Sequence, residues 1–231
     1  MNDIPYFYFP DLNVSSGLTK MDEEMRRHVV TVLRMEVGEK IMLMDGIGNV
    51  AEVDIIEASK KSLLVSINNK KSYPPPSQKL VLAISTLKNA SRFEWMLEKV
   101  TEIGITEIIP LVAERTERIH FKEDRLKQII VSACLQSKQC WMPVLREPQK
   151  LQSLVHNSTI EKKFIAHCID GQKELLQKQS SDAILLIGPE GDFTPIEIEM
   201  AIGNGFMPVT LGDSRLRTET AGVVGAVLMK I

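Results

Sequence analysis

The sequence lacks the features that mark several large classes of protein. Only three of its 231 residues are cysteines, and they have no C-x-x-C spacing. An odd number of cysteines without that spacing argues against a disulfide framework or a zinc site. No apolar run approaches the roughly 18 residues that a membrane-spanning helix needs. The first residues include no basic stretch, so we expect no secretory signal. These absences predict a cytoplasmic protein without a membrane partner.

The chain also lacks a large excess of positive or negative charge, because its formal net charge is −2. A surface that is not basic overall argues against nonspecific nucleic-acid binding, and any RNA contact needs a local patch. The four histidines are scattered without metal-ligand spacing, so we predict no metal site. Neither a P-loop nor a G-x-G-x-x-G follows a strand, which argues against the common nucleotide-binding folds.

The chain divides into two regions around three successive prolines, Pro74, Pro75 and Pro76. Such prolines stop helices and strand ladders and favour a stiff spacer, so residues 73–77 are predicted to be a linker. Residues 1–72 contain several short strand patterns and one helix pattern, which predict a small β-rich, barrel-like domain. In residues 78–231 strands alternate with helices, which predicts an α/β domain with a mostly parallel sheet.

Two short apolar strands, at residues 183–187 and 207–211, each run into a glycine-containing polar loop. A helix is expected after each loop. Thr194, Pro195 and Glu197 form a capping-box pattern after the first loop, and Thr218 or Thr220 is the expected cap after the second. Open α/β sheets bind ligands in the crevice at the carboxyl ends of their strands. The two strand ends therefore predict a ligand crevice.

The charges of the two loops narrow the expected ligand. Glu190 and Asp192 would repel a pyrophosphate, so S-adenosylmethionine, with its sulfonium and amino groups, fits better than NAD or ATP. The alternative is that the first loop is only a tight strand–helix turn. Arg217 and Glu219 lie beside a helix start, where a ligand is also expected. The alternative for this pair is a surface ion pair of little energy, and we prefer the surface interpretation for Arg215.

The two loops carry a family resemblance. The sequence reads IGPEGDF at residues 187–193, GF at 205–206, LG at 211–212 and LRTETA at 216–221. This pattern resembles the RsmE family, ribosomal RNA small-subunit methyltransferases of the SPOUT superfamily. Upstream, KVTEIG at 99–104, IPL at 109–111 and ERT at 114–116 are similar to the family's central block, and His28 with VLR at 32–34 is similar to its N-terminal domain.

The chain departs from the family pattern at three positions. The family usually has a second glycine where Asp192 stands. It usually has an acid and an arginine where Leu135 and Gln139 stand.

The resemblance implies an activity and an architecture. The activity is S-adenosylmethionine-dependent methylation of N3 of a specific uridine in 16S ribosomal RNA of the small ribosomal subunit. The architecture is an N-terminal PUA-like β-barrel that helps to bind RNA, followed by a SPOUT-type α/β domain with a trefoil knot. A homodimer with active sites near the subunit interface is also implied.

The expected site residues follow from the loops and the resemblance together. Arg217 is the candidate for stabilising negative charge on the target base, and Glu219 is the weaker candidate for proton acceptor. The residues expected at the cofactor are His167, Cys168, Ile187, Gly188, Pro189, Glu190, Gly191, Leu211, Gly212, Ser214, Leu216 and Arg217. The candidate RNA contacts are Arg26, His28, Arg34, Lys88, Arg92 and Arg115, each with a solvated surface charge as its alternative.

Two other functions stay open at this point. One is a SPOUT methyltransferase that acts on another RNA, such as transfer RNA, or on a ribose 2′-hydroxyl. The other is a non-catalytic RNA-binding protein that has kept the fold.

Overall fold

A computed structural model of the chain describes residues 4–119 and 121–231. It divides into two compact units, Met1–Pro75 with Cys134–Met142, and Pro76–Ala133 with Pro143–Ile231. The sequence-based prediction placed Cys134–Met142 in the second domain. The structure differs from the prediction for this segment. Its reason is packing between distant residues, because Met142 N–H donates to the Gly46 carbonyl at 2.9 Å and Trp141 Nε1 donates to the Tyr73 carbonyl at 3.3 Å.

The first unit is built on a five-stranded sheet, which confirms the predicted β-rich character. Its strand order is β1-β3-β4-β5-β2, and the β1–β3 pair is parallel whereas the other pairs are antiparallel. Asp22 begins the helix by accepting a hydrogen bond from Met25 N–H at 2.8 Å. The elements are β1 Tyr6–Tyr8, a 3-10 turn Pro10–Asn13, β2 Gly17–Lys20, α1 Glu23–Arg26 continued by a π-helix Arg27–Val32, β3 Lys40–Met44, β4 Asn49–Ala58 and β5 Leu63–Ser72.

The second unit contains an eight-stranded sheet in which every strand pair is parallel, as the alternating pattern predicted. The main strand order is β11-β13-β10-β12-β6-β7-β8, and β9 pairs with β7. The elements are β6 Leu80–Ser85, α2 Ala90–Ile103, β7 Glu107–Val112, α3 Glu123–Ser137, β8 Val144–Leu145, β9 Gln149–Lys150, α4 Leu151–Asn157, β10 Lys162–Ala166, β11 Glu174–Leu175, β12 Ala183–Ile187, α5 Pro195–Gly203, β13 Met207–Thr210 and α6 Thr218–Lys230. The last residues of α3, from Cys134 on, belong to the first unit.

Helices cover both faces of this sheet, so its central strands are buried throughout. On one face, Val81 and Ala83 of β6 belong to a core with residues of α4 and α5. Alternate strand residues point to the opposite face, where Ile84 meets α6. A Cβ at Gly222 of α6 would come within 2.7 Å of Ile84 Cδ1, so glycine allows this helix to approach the sheet closely.

The helix ends follow local sequence rules. Gly104 caps α2 in the left-handed conformation with φ of 94°, as predicted. The predicted capping box of α5 is confirmed, since Thr194 and Glu197 exchange hydrogen bonds between side chain and backbone. Within residues 4–119 and 121–231, no helix has the length and apolar character needed to cross a membrane.

Candidate functional site

A cleft of about 770 Å³ opens at the carboxyl ends of three neighbouring strands. Strand β12 lies on one side of β10 and β13 on the other, so the chain changes direction across β10. Such a switch point is where parallel sheets bind ligands. The lining residues are Arg92, Ala166, His167, Cys168, Lys173, Ile187, Gly188, Pro189, Glu190, Asp192, Val209, Thr210, Leu211, Gly212, Asp213, Ser214, Arg215, Leu216, Arg217, Thr218, Glu219 and Ala221.

The first loop, residues 188–192, connects β12 to the turn before α5 and is tied to other segments. Arg115 Nη1 donates to the Gly191 carbonyl at 2.8 Å, and the Lys88 backbone N–H donates to Glu190 Oε1 at 3.3 Å. Asp192 has φ of +63°, in the left-handed region. The RsmE pattern usually has glycine there, and aspartate is one of the few other residues that tolerate this conformation.

The peptide group between His167 and Cys168 is held at both of its polar atoms. Lys173 Nζ donates to the His167 carbonyl at 2.8 Å, and Asp192 Oδ2 accepts from the Cys168 N–H at 2.8 Å. The second Asp192 oxygen accepts from the Phe193 N–H at 2.8 Å. Because both polar atoms of this peptide already have partners, we expect this part of the wall to contact a ligand through its side chains.

His167 is half-buried at the end of β10. Burial and the positive charge of Lys173 lower the pKa of its imidazole, while Asp192 and the backbone of Ile169 act in the opposite direction. The ring is therefore neutral at neutral pH. Its Nδ1 is buried and has no hydrogen-bond partner among the described residues. A buried polar atom without a partner is costly and marks a place where a ligand or water is expected.

The second loop, residues 211–217, is held by local bonds. Thr210 Oγ1 accepts from the Gly212 N–H at 3.3 Å and donates to the Gly212 carbonyl at 2.8 Å. Gly212 itself has φ of +135°, a conformation that favours glycine. Ser214, Arg215 and Arg217 are exposed. This loop therefore offers exposed polar side chains to the cleft.

The cap predicted for α6 is wrong. The N-cap residue is Arg217, whose side chain makes no capping bond, and Thr218 and Thr220 lie inside the helix. Since the chain is still extended at Arg217, with ψ of 154°, the helix can only begin at Thr218.

Glu219, in the first turn of α6, is buried with only 10% of its side chain exposed. Its Oε1 lies 3.7 Å from Arg92 Nε, and its Oε2 has no partner among the described residues. The sequence assigned Arg92 to RNA, but in the structure it borders the cleft beside this carboxylate. A buried carboxylate is costly unless it is paired, so this position points to a functional constraint.

The structure brings the two catalytic candidates and all the expected cofactor residues except Gly191 to this cleft. Gly191 does not line it, and its carbonyl is bonded to Arg115. The sequence did not single out Lys173, because it lies in a polar stretch without periodicity. It considered Asp192 for its charge and as a departure from the usual glycine, but drew no structural role from that departure.

The other candidate RNA contacts lie outside the cleft. Lys88 forms an ion pair with Glu117 at 2.9 Å, and Arg115 supports the first loop. The remaining three belong to the first unit. There Arg26 pairs with Glu23, His28 packs edge-on against Phe7 and Arg34 is exposed with φ of +57°.

The fold and the cleft define a class of protein that known families identify. A family model of RNA methyltransferase domains matches residues 74–230, and one of RNA methyltransferase PUA domains matches residues 22–68. The chain therefore belongs to the RNA methyltransferase domain family. The PUA match agrees with the predicted PUA-like N-terminal domain, while the trefoil knot stays a prediction.

Individual relatives make the resemblance more specific. The chain is similar to Ribosomal RNA small subunit methyltransferase E of Synechocystis, with 32% identity over 84% of this chain and 66% of the relative. It is similar in structure to a probable rRNA-methyltransferase from Porphyromonas gingivalis, with a TM-score of 0.89 and 36% identity over 96% of this chain and 95% of that one.

A third relative was solved with a ligand. It is a Ribosomal RNA small subunit methyltransferase E from Neisseria gonorrhoeae bound to S-adenosyl methionine, with a TM-score of 0.83 and 29% identity. The alignment covers 97% of this chain and 95% of that one. Together these matches confirm the resemblance to the RsmE family.

Proposed function

We propose that this chain transfers the methyl group of S-adenosylmethionine to N3 of a uridine in 16S ribosomal RNA of the small subunit. The observation that carries the proposal is the cleft at the β10–β12–β13 strand ends, in a fold that matches a relative solved with S-adenosyl methionine at a TM-score of 0.83. The uridine N3 position rests on the resemblance of the two loops to the RsmE family.

The residues of the cleft fit S-adenosylmethionine. The volume of the cleft, about 770 Å³, is in the range of small-molecule sites. Acidic side chains such as Glu190 suit a ligand with cationic groups. Among the residues that the structure describes, none bonds to the buried Nδ1 of His167, so a ligand would supply its partner. The backbones expected to hold the adenine and ribose are those of Ile187, Gly188, Leu211, Gly212 and Leu216.

The chain's own groups account for the chemistry at the acceptor. When bound, S-adenosylmethionine supplies an electrophilic methyl group. Uracil N3 carries a proton that must leave, and negative charge then develops on O2 and O4. Arg217 borders the cleft, and its guanidinium is our candidate to stabilise that charge, as donors do in an oxyanion site.

Glu219 is the second candidate in the reaction, as acceptor of the N3 proton. A carboxylate at a helix start is normally a weak base, which limits this role. Positioning of the target uracil against the methyl group therefore supplies a large share of the rate. The target base must be unpaired or turned out of its stack to enter the cleft.

The partners follow from the same proposal. The PUA-like unit contributes to RNA binding, with Arg26, His28 and Arg34 as its candidate phosphate contacts. We further propose a homodimer and a cytoplasmic location. Because the chain has a net charge of −2, the substrate we favour is the assembled small subunit with its proteins and not naked RNA. Equal rates on both substrates would contradict this part.

Mass spectrometry of the methylated nucleotide is the decisive test. Small subunits lacking the modification are incubated with the protein and S-adenosylmethionine, and the modified position is mapped. We expect a single N3-methyluridine in 16S RNA. A modified transfer RNA or a 2′-O-methyl group would assign another methyltransferase activity. Absence of S-adenosylmethionine binding in calorimetry would instead favour a non-catalytic RNA-binding protein.

A further inference from the structure

Four cations line the cleft, and they differ in how they are held. Arg92 lies beside the carboxylate of Glu219, at 3.7 Å. Arg215 and Arg217 are exposed on the second loop. Lys173 is half-buried and follows β10. These differences matter because a partly buried, fixed cation is a stronger anion site than an exposed one.

Lys173 is fixed without being neutralised. Its Nζ donates to the carbonyls of His167 at 2.8 Å and Ile169 at 2.9 Å. These neutral carbonyls are its hydrogen-bond partners among the described residues. An ammonium has three donors, so two carbonyl bonds leave one N–H and the full charge for another group.

Two of the acids that line the cleft, Asp192 and Glu190, accept hydrogen bonds from backbone N–H groups. Both oxygens of Asp192 accept backbone hydrogen bonds, and Glu190 accepts one from the Lys88 backbone. An anionic part of a ligand would be repelled by these carboxylates and needs a cation nearby. Lys173 is the partly buried cation in the cleft that meets this need.

We infer that Lys173 binds the carboxylate at the methionine end of S-adenosylmethionine. The inference rests on the proposed function, since it concerns the same ligand. S-adenosylmethionine carries one carboxylate beside its ammonium and sulfonium groups, and a charge-assisted hydrogen bond from a held ammonium suits that group. Phosphates of an RNA strand, by contrast, suit exposed cations.

Calorimetry with two ligands tests this contact without any methyl transfer. Decarboxylated S-adenosylmethionine lacks only the carboxylate, so its affinity is compared with that of S-adenosylmethionine in the wild type and in Lys173→Gln. The wild type should bind S-adenosylmethionine about tenfold or more tightly than the decarboxylated ligand. In K173Q that difference should shrink to about twofold.

Lys178→Gln is the matched control, because Lys178 is an exposed lysine of the same segment outside the cleft. It should keep the wild-type difference between the two ligands. If K173Q does not fold, Lys173→Met replaces it in the comparison of the two ligands. Methionine keeps most of the apolar stem of lysine without the charge.

The outcomes separate this inference from the proposed function. Wild-type protein that binds neither ligand refutes the proposed function and the inference with it. Wild-type protein that binds both ligands equally, or a difference that persists in K173Q, overturns the inference alone. Equal loss of both ligands in a folded Lys173 variant also overturns it, because the lysine then only holds the loop. If K173Q binds RNA more weakly but keeps the wild-type difference in affinity between the two ligands, the inference is overturned and Lys173 is assigned to an RNA phosphate.

Discussion

The first and second loops line the same cleft but are held in different ways. In the first loop, Glu190, Gly191 and Asp192 have hydrogen-bond partners on other segments of the second unit. In the second loop, the bonds around Gly212 come from Thr210, two residues earlier in the chain. Long-range bonds fix a loop through the fold, whereas local bonds leave it free to move as a piece.

This difference suggests a division of work between the loops. A wall shaped before the ligand arrives suits a cofactor that is the same in every turnover. A wall with exposed side chains suits a large RNA substrate that must enter and leave. We expect substitutions in the first loop to act mainly on cofactor affinity, and substitutions of the exposed arginines of the second loop to act mainly on methyl transfer.

Arg217→Ala should give the largest effect. Removing the cation proposed to stabilise charge on the base should lower kcat by about 10²–10³-fold, the loss typical of one oxyanion donor. The melting temperature should change little, because Arg217 is exposed.

Methyl transfer to small subunits, measured at saturating S-adenosylmethionine, checks this prediction. Arg215→Ala, an exposed arginine of the same loop, is the comparison and should lose less than about tenfold. Full activity in R217A would remove Arg217 from the mechanism.

Asp192→Gly tests the first loop. Glycine restores the residue usual in the RsmE family and relieves the positive φ, but it removes the bonds to the Cys168 and Phe193 N–H groups. We expect S-adenosylmethionine affinity to fall about tenfold, the size of one charge-assisted hydrogen bond.

Asp192→Asn should lose less, since its side-chain oxygen still accepts one bond and it tolerates the left-handed region. Calorimetry gives both affinities. Wild-type affinity in D192G would mean that the first loop keeps its shape without the Asp192 bonds.

Gly212→Ala tests whether the second loop is free to rearrange. A side chain at φ of +135° is strained, and strain in a fixed backbone costs about 1–3 kcal/mol. A loop with local bonds can relax, so the free energy of unfolding should fall by less than about 1 kcal/mol.

Denaturant unfolding measures the change, with Gly203→Ala as the control. Gly203 ends α5, and no heavy atom lies within 4 Å of a Cβ placed there. A loss of about 3 kcal/mol in G212A would show that the second loop is as fixed as the first.

The smallest expected effect concerns pH. The pKa of His167 is lowered from 6.5 by burial and by Lys173, so the unfolded chain binds the proton first as pH falls. Stability is therefore full above about pH 6.5 and declines below it. In His167→Gln the free energy of unfolding should therefore decline less steeply below about pH 6.5 than in the wild type. Unfolding free energies measured at several pH values compare the two slopes, and identical slopes would contradict the cause given for His167.

The elements that the sequence predicted well are those with strong local signals. The apolar run of β12 and the capping box at Thr194 and Glu197 contain their own start and stop information. His167 and Cys168 were predicted at the cofactor, but Lys173 and the bonds that hold the peptide between them were not, because those bonds join residues whose pairing depends on the folded loop. The role of Asp192 was missed because its partner, Cys168, lies 24 residues away.

The segment Cys134–Met142 has a consequence for how the chain can be divided. It belongs with the first unit although it lies in the middle of the second unit's sequence. The gene therefore cannot be cut at the proline linker into two complete pieces. A fragment ending at Pro75 would leave Gly46 and Tyr73 without their bonds to Met142 and Trp141. Chimaeras that exchange the N-terminal unit between relatives must exchange this short internal stretch as well.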